Sequence, residues 1–262
     1  MHAVATAFDA RLVPADEPPV FTEAELAGLP DPVRRYLRAA IAPGTPLAEA
    51  ARLRMRGQLR LGRWLPFRAT ELLAPTRGFR WSARVAGVIS GADRCVDGTA
   101  EMDWRLFGAV PVLRAVGPDL ARSAAGRAAG EGCWLPTALL PRYGTRWTAV
   151  DRRHLRAELA VGGIGCAVDF VLDDRDRVAR TVFDRWGDPE RTGHWDWYPF
   201  GFEVTGYAGF GGLTVPAAGR AGWFPGTDRW RDGEFFRCVV SDLTPAYAVP
   251  GSGVSGARPG LG

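Results

Sequence analysis

Lysine and asparagine are absent from this 262-residue chain, and isoleucine occurs only three times. All 33 basic residues are therefore arginine. The missing residues are those with A/T-rich codons, so a GC-rich genome accounts for the arginine load. The pI of about 9.2 is then mostly inherited composition and does not point to nucleic acid. Cysteine is scarce. Cys95, Cys133, Cys166 and Cys238 lie far apart with no C-x-x-C pair, which argues against a disulfide framework. The three histidines, His2, His154 and His194, have no clustered Cys, His or carboxylate neighbours at metal-ligand spacing. No stretch approaches the ~18 uninterrupted apolar residues of a membrane span. The amino terminus MHAVATAFDA lacks the basic region of a signal peptide. No G-x-S-x-G elbow, P-loop or dinucleotide fingerprint occurs. These absences predict a reduced, cytoplasmic protein with no transmembrane segment, metal or cofactor.

What is present is hydrophobic pattern. Thr22-Glu23-Ala24-Glu25 reads as a capping box, and LPDPVRRYLRAA as a helix with Asp31 at its N-cap and Pro32 at its first position. Val33, Tyr36 and Leu37 fall on one face of that helix. From Ala51 the period changes to 2. Leu53, Met55, Leu59 and Leu61 alternate with Arg52, Arg54, Arg56 and Arg60, the mark of a strand with one buried face. Phe79, Trp81, Ala83 and Val85 repeat the pattern, as do Met102, Trp104 and Leu106 beyond the Asp97-Gly98 turn. PDLARSAAGRAAGEGCWLPTALL suits a helix broken near Gly130–Gly132. Strands then resume to the end of the chain.

The expectation is a mainly β (α+β) fold: one strongly curved antiparallel sheet or incomplete barrel. It has about ten strands, a helix on its concave face, and short helices in front. Residues 1–20 read as a loose amino terminus, 21–248 as a single domain with a helical insertion at about 118–140, and 249–262 as a Gly/Ser-rich tail.

Five segments in order carry a resemblance: LPDPVRRYL, WLPFRA with FRWSAR, R-x-x-x-E-x-x-W-L-P-T-A-L-L from Arg127, FEVTGYAGF and GLTVPAAGRAGWF. Together they resemble a widespread bacterial family known only as a domain of unknown function, over about Leu29 to Leu243. Members of that family tend to have tyrosine where this chain has Cys95, and Leu-Ala where it has Ala129-Gly130. The strand–helix–strand layout is also similar to bacterial lipoprotein carriers, whose half-barrels hold acyl chains. That likeness implies a concave sheet and leaves function to the site itself.

Several side chains are candidates for that site. Arg127 and Glu131 stand four apart on the expected helix, and read either as a surface ion pair or as polar groups turned into the concavity. In RVARTVFDRW the positions Val178, Val182 and Trp186 form one apolar face and carry Arg180 and Asp184 with them. Charges on a buried face need partners or a wet cavity. The other face, with Ala179, Thr181 and Phe183, is an equal alternative. GHWDWYPFGF, from Gly193 to Phe202, concentrates aromatics including Trp197. With Trp81, Trp104, Trp134 and Trp186 on inward positions, it suggests an aromatic-lined pocket.

The arginines at Arg52, Arg54, Arg56, Arg60, Arg80 and Arg84 alternate opposite to the aromatics. They therefore read as a solvated face, not a nucleic-acid platform.

Three functions follow from this reading. The first is binding of a lipid-like or other apolar small molecule through Trp81, Arg127, Glu131, Trp134, Arg180, Trp186 and Trp197. The second is an enzyme, of hydrolase or isomerase type, on the same cavity, with Glu131 as acid or base and Arg180 stabilising negative charge. The third is a ligand-free domain whose helix simply fills the sheet.

Overall fold

The computed structural model describes residues 18–246. The expected tail lies outside that range, as does most of the expected loose amino terminus. The described chain forms a single antiparallel sheet of thirteen strands that does not close. Six strands make the first block: β1 (Ala50–Leu61), β2 (Arg63–Ala74), β3 (Gly78–Val85), β4 (Ile89–Val96), β5 (Thr99–Leu106) and β6 (Val110–Val116). Seven make the second: β7 (Arg146–Ala149), β8 (His154–Val161), β9 (Ile164–Leu172), β10 (Val178–Gly187), β11 (Asp196–Phe210), β12 (Leu213–Trp223) and β13 (Glu234–Ala246).

Their order across the sheet is β6-β5-β4-β3-β2-β1-β13-β12-β11-β10-β9-β8-β7. The chain therefore enters at the centre, meanders out to one edge, crosses to the far edge, and meanders back until β13 pairs with β1. The sheet curls enough that the two halves meet: the Gly162 N–H, in the β8–β9 turn, donates to Thr76 O at 2.9 Å.

Thirteen strands replace the ten expected. β4 lacks a clean buried–exposed alternation. β6, VPVLRAV, is exposed at almost every position and holds Pro111, so it carries no period-2 signature. Proline is tolerated there because β6 is an edge strand.

The crossing is made by α2 (Pro118–Glu131), followed by short 3-10 turns at Gly132–Trp134 and Pro136–Leu139. α2 is Ala- and Gly-rich, and its buried positions run almost continuously from Ala121 to Gly130. Small residues on that face let the helix lie close inside the curl. In front, α1 (Asp31–Ala40) buries Val33, Tyr36 and Leu37 as its spacing predicts.

Two capping expectations fail. Thr22 makes no side-chain cap, and Glu23–Leu26 is only a 3-10 turn. Asp31 is already helical, Pro30 holds the cap position, and the Asp31 carboxylate instead faces Arg34 at 3.5 Å. One core runs the length of the concavity, from Tyr36 through Leu53, Phe79 and Trp134 to Phe170 and Val240.

Candidate functional site

Between α2 and the concave face lies a cavity of about 260 Å³. Its walls are aromatic, with Trp81, Trp134, Phe183, Phe200, Phe202 and Trp223 contributed by four strands and the turn after α2. The rings are arranged edge to face: Trp134 on Phe202 at 5.7 Å, Phe200 on Trp223 at 5.0 Å.

The polar side of the cavity is built on Arg127. Its Nε donates to Glu131 Oε1 at 2.7 Å, Nη1 to Asp93 Oδ2 at 3.2 Å, and Nη2 to Glu71 Oε1 at 3.4 Å. The guanidinium also lies over the Phe79 ring at 4.2 Å. Three carboxyl groups on one cation cannot all ionise cheaply. Burial, and then the neighbouring Glu131 carboxylate, push Glu71 well above the usual carboxylate range, against the pull of Arg127. Glu71 Oε2 and Glu131 Oε2 are both buried and have no donor among the described residues. The raised pKa favours the protonated form of Glu71, which can donate as well as accept. Asp93 is completed by the Trp104 indole, which donates to its Oδ1 at 2.8 Å.

A second cation lines the cavity. Arg185 on β10 donates from Nε to Ser123 O and Oγ of α2, both at 3.2 Å. Its guanidinium stacks over Phe200 at 4.6 Å and Trp223 at 5.4 Å. It forms no ion pair with any described residue. Burial, and then repulsion from Arg127, lower its pKa to about 10, so it stays charged at neutral pH. Further along, the Trp134 indole N–H and the Thr181 hydroxyl line the same cavity, buried and with no partner among the described residues.

Of the residues singled out from sequence, Trp81, Arg127, Glu131 and Trp134 meet at this cavity. Arg180, Trp186 and Trp197 do not. Arg180 and Asp184 are exposed and do not line it, and the inward positions of β10 are Thr181, Phe183 and Arg185. The cause is a bulge: Val178 pairs with Leu172, but Arg180 already pairs with Val171, so Ala179 is the extra residue. Val178 is buried as its alternation implied, and past the bulge the phase inverts. Trp186 instead anchors the start of α2, donating from Nε1 to Asp119 Oδ1 at 2.8 Å. Trp197 is 51% exposed and packs edge-on to Trp186 at 5.3 Å. In GHWDWYPFGF only Phe200 and Phe202 reach the cavity.

Glu71, Asp93 and Arg185 are the residues that sequence reading missed. Glu71 carried a signal: with Phe67, Ala69 and Leu73 it falls on the buried face of β2, a charge on an apolar stripe. Phe183 also walls a second hollow of about 490 Å³, where the β9–β10 ladder stops at Val182 and Asp169. Among the described residues no group of His, Cys, Asp and Glu is arranged to hold a metal ion. Nor is any helix there long and apolar enough to cross a membrane.

Fold and site together define an open antiparallel sheet wrapped round a helix, with an aromatic cavity and a buried carboxyl–guanidinium cluster between them. The chain belongs to a family of unknown function (DUF6544), which it matches over residues 19–235.

Solved structures with a similar layout include a domain of a putative outer membrane lipoprotein-sorting protein from Vibrio parahaemolyticus. It is 11% identical, with a TM-score of 0.42, covering 75% of this chain and 85% of that one. A LolA superfamily protein from Nitrosomonas europaea is 11% identical, with a TM-score of 0.42, covering 82% and 91% respectively. A DUF1329 family protein from Desulfovibrio piger is 12% identical, with a TM-score of 0.35, covering 82% and 94%. No curated protein matches the chain.

Proposed function

We propose that this protein binds a lipid-like, largely apolar small molecule in the cavity between α2 and the sheet. The carrying observation is the cavity itself: aromatic walls with a few polar groups converging on one space of about 260 Å³. A dry core would fill such a space, since voids in packed interiors cost stability. An apolar pocket with a small number of placed polar groups is the usual form of a small-molecule site. The volume suits a single chain or ring system, being somewhat below the ~300 Å³ at which drug-sized sites begin.

A native mass spectrum of freshly purified protein tests this reading, followed by identification of anything released on denaturation. The expected result is a discrete added mass that disappears on unfolding. A bare chain that also fails to take up any apolar probe would refute it.

One observation favours a second reading, catalysis. Glu71, whose pKa is raised, meets Arg127 together with Glu131 at the cavity, and a carboxyl with a raised pKa can give and take protons. Glu131→Gln separates the two: a binder keeps its ligand, whereas an enzyme loses turnover.

A further inference from the structure

We infer that the molecule held in this cavity carries a single negative charge at one end, and that Arg185 pairs with it. The inference rests on the proposed binding function and names the class of ligand, a monoanionic amphiphile such as a long-chain carboxylic acid.

Arg185 stands apart from the other cation of the cavity. Arg127 is saturated by Glu71, Asp93 and Glu131. Arg185 is tethered only through Nε, to the carbonyl and hydroxyl of Ser123, and it lines the same cavity. A guanidinium carries five donors in a fixed fork, and its terminal pair matches a carboxylate edge. The Ser123 tether fixes the side chain by Nε and leaves that terminal pair for another acceptor. Phe200 and Trp223 both lie against the cation without neutralising it. Arg185 is partly buried with no counter-charge among the described residues, and a bound anion supplies one.

The charge count limits the head to one negative charge. Arg127 is already engaged by Glu71, Asp93 and Glu131, so Arg185 is the one cation among the lining residues left to face an anionic head. A single negative charge matches that one guanidinium, whereas a second would lie near the Asp93 and Glu131 carboxylates with no further cation to offset it.

Strand geometry gives the direction of the tail. Arg185, Phe183 and Thr181 are alternate residues on the inward face of β10, so Arg185 and Thr181 mark points about 13 Å apart along the strand. Phe200 pairs with Phe183, and Phe202 with Thr181, so the aromatic wall runs away from Arg185 in that direction. The tail of the ligand lies along this row towards Trp134.

The test compares, by calorimetry or native mass spectrometry at pH 8, wild-type binding of decanoic acid, decanol, methyl decanoate and decyl phosphate. The acid is expected to bind roughly tenfold or more tightly than the alcohol and the ester, the size of one charge-assisted contact. It should also outbind the phosphate. Arg185→Met, which keeps the apolar stem, is expected to abolish the preference for the acid over decanol. Equal affinity for acid and alcohol in the wild type, or an acid preference that survives Arg185→Met, overturns the inference and leaves the binding function standing. Failure of all four compounds to bind overturns the binding function, and this inference with it. The wild-type comparison stands even if the variant does not fold.

Discussion

Gly130 of α2 faces Phe183 of β10 so closely that a β-carbon at Gly130 would overlap the phenylalanine ring. The helix thus reaches the concave face because one residue on it has no side chain. Gly130→Ala is expected to push Phe183 away from the helix. Overpacking of this kind costs about 1–3 kcal/mol, and the fold should survive it. Phe183 separates the cavity from the hollow beside β9, so the same change should alter ligand affinity more than it alters the melting temperature. Measuring both on one preparation checks this. A variant with wild-type affinity would show that Phe183 does not bound the binding space.

Arg127 holds three carboxyl groups in place, and removing it leaves them without a cation. Arg127→Met is expected to destabilise the protein by about 3–5 kcal/mol, the usual consequence of breaking a buried charge network from one side. Arg127→Lys should recover only part of this, because one ammonium cannot reproduce the planar fork that reaches Glu71, Asp93 and Glu131 together. Urea denaturation of the two variants provides the comparison. Equal stability of Arg127→Met and wild type would show the network to be energetically idle.

Glu71 makes the stability depend on pH in a definite direction. Folding holds a proton on Glu71, since its folded pKa lies well above the ordinary carboxylate value of 4.5. Above that value the folded state binds more protons than the unfolded chain. The contribution is therefore complete at acid pH and is lost as pH rises through the raised folded value. Glu71→Gln keeps the shape and cannot ionise. It should flatten the decline in melting temperature on going from pH 6 to pH 9. A decline as steep as that of the wild type would place the titrating group elsewhere.

How far the site was legible in the sequence turns on single residues of the strands. Trp81 was readable because Phe79, Trp81, Ala83 and Val85 alternate without interruption, and all four are buried. Arg127 and Glu131 were readable as an i, i+4 pair, though nothing in that spacing reveals Glu71 or Asp93, which arrive from β2 and β4 through the topology. Arg180 was assigned to the cavity with the opposite face of β10, carrying Thr181 and Phe183, as an equal alternative, and the structure has that alternative face inward for a local reason. The bulge at Ala179 adds one residue, and a shift of one residue exchanges the two faces of a strand. No propensity announces that bulge, so the charge assigned to the cavity passed from Arg180 to Arg185. The overall curl was readable as a consequence of a long antiparallel sheet needing to manage its edges. β6 was not, because an edge strand solvated on both faces has no period to detect.

Arg180 and Arg185 therefore make a matched pair of substitutions. Arg180 is exposed, outside the cavity, and Arg180→Ala should change stability by no more than about 0.5 kcal/mol. Arg185→Ala removes a partly buried side chain that packs on Phe200 and Trp223 and ties β10 to Ser123 of α2. Its loss should cost about 1–3 kcal/mol through the broken tether and lost packing. That cost should shrink when the protein is assayed without ligand, because a bound anion adds its own stabilisation to the wild type alone. Thermal denaturation of both variants, before and after the protein is stripped of bound small molecules, reads the two effects separately. A large loss on Arg180→Ala with none on Arg185→Ala would restore the uninterrupted alternation of β10 and place Arg180 inside the sheet.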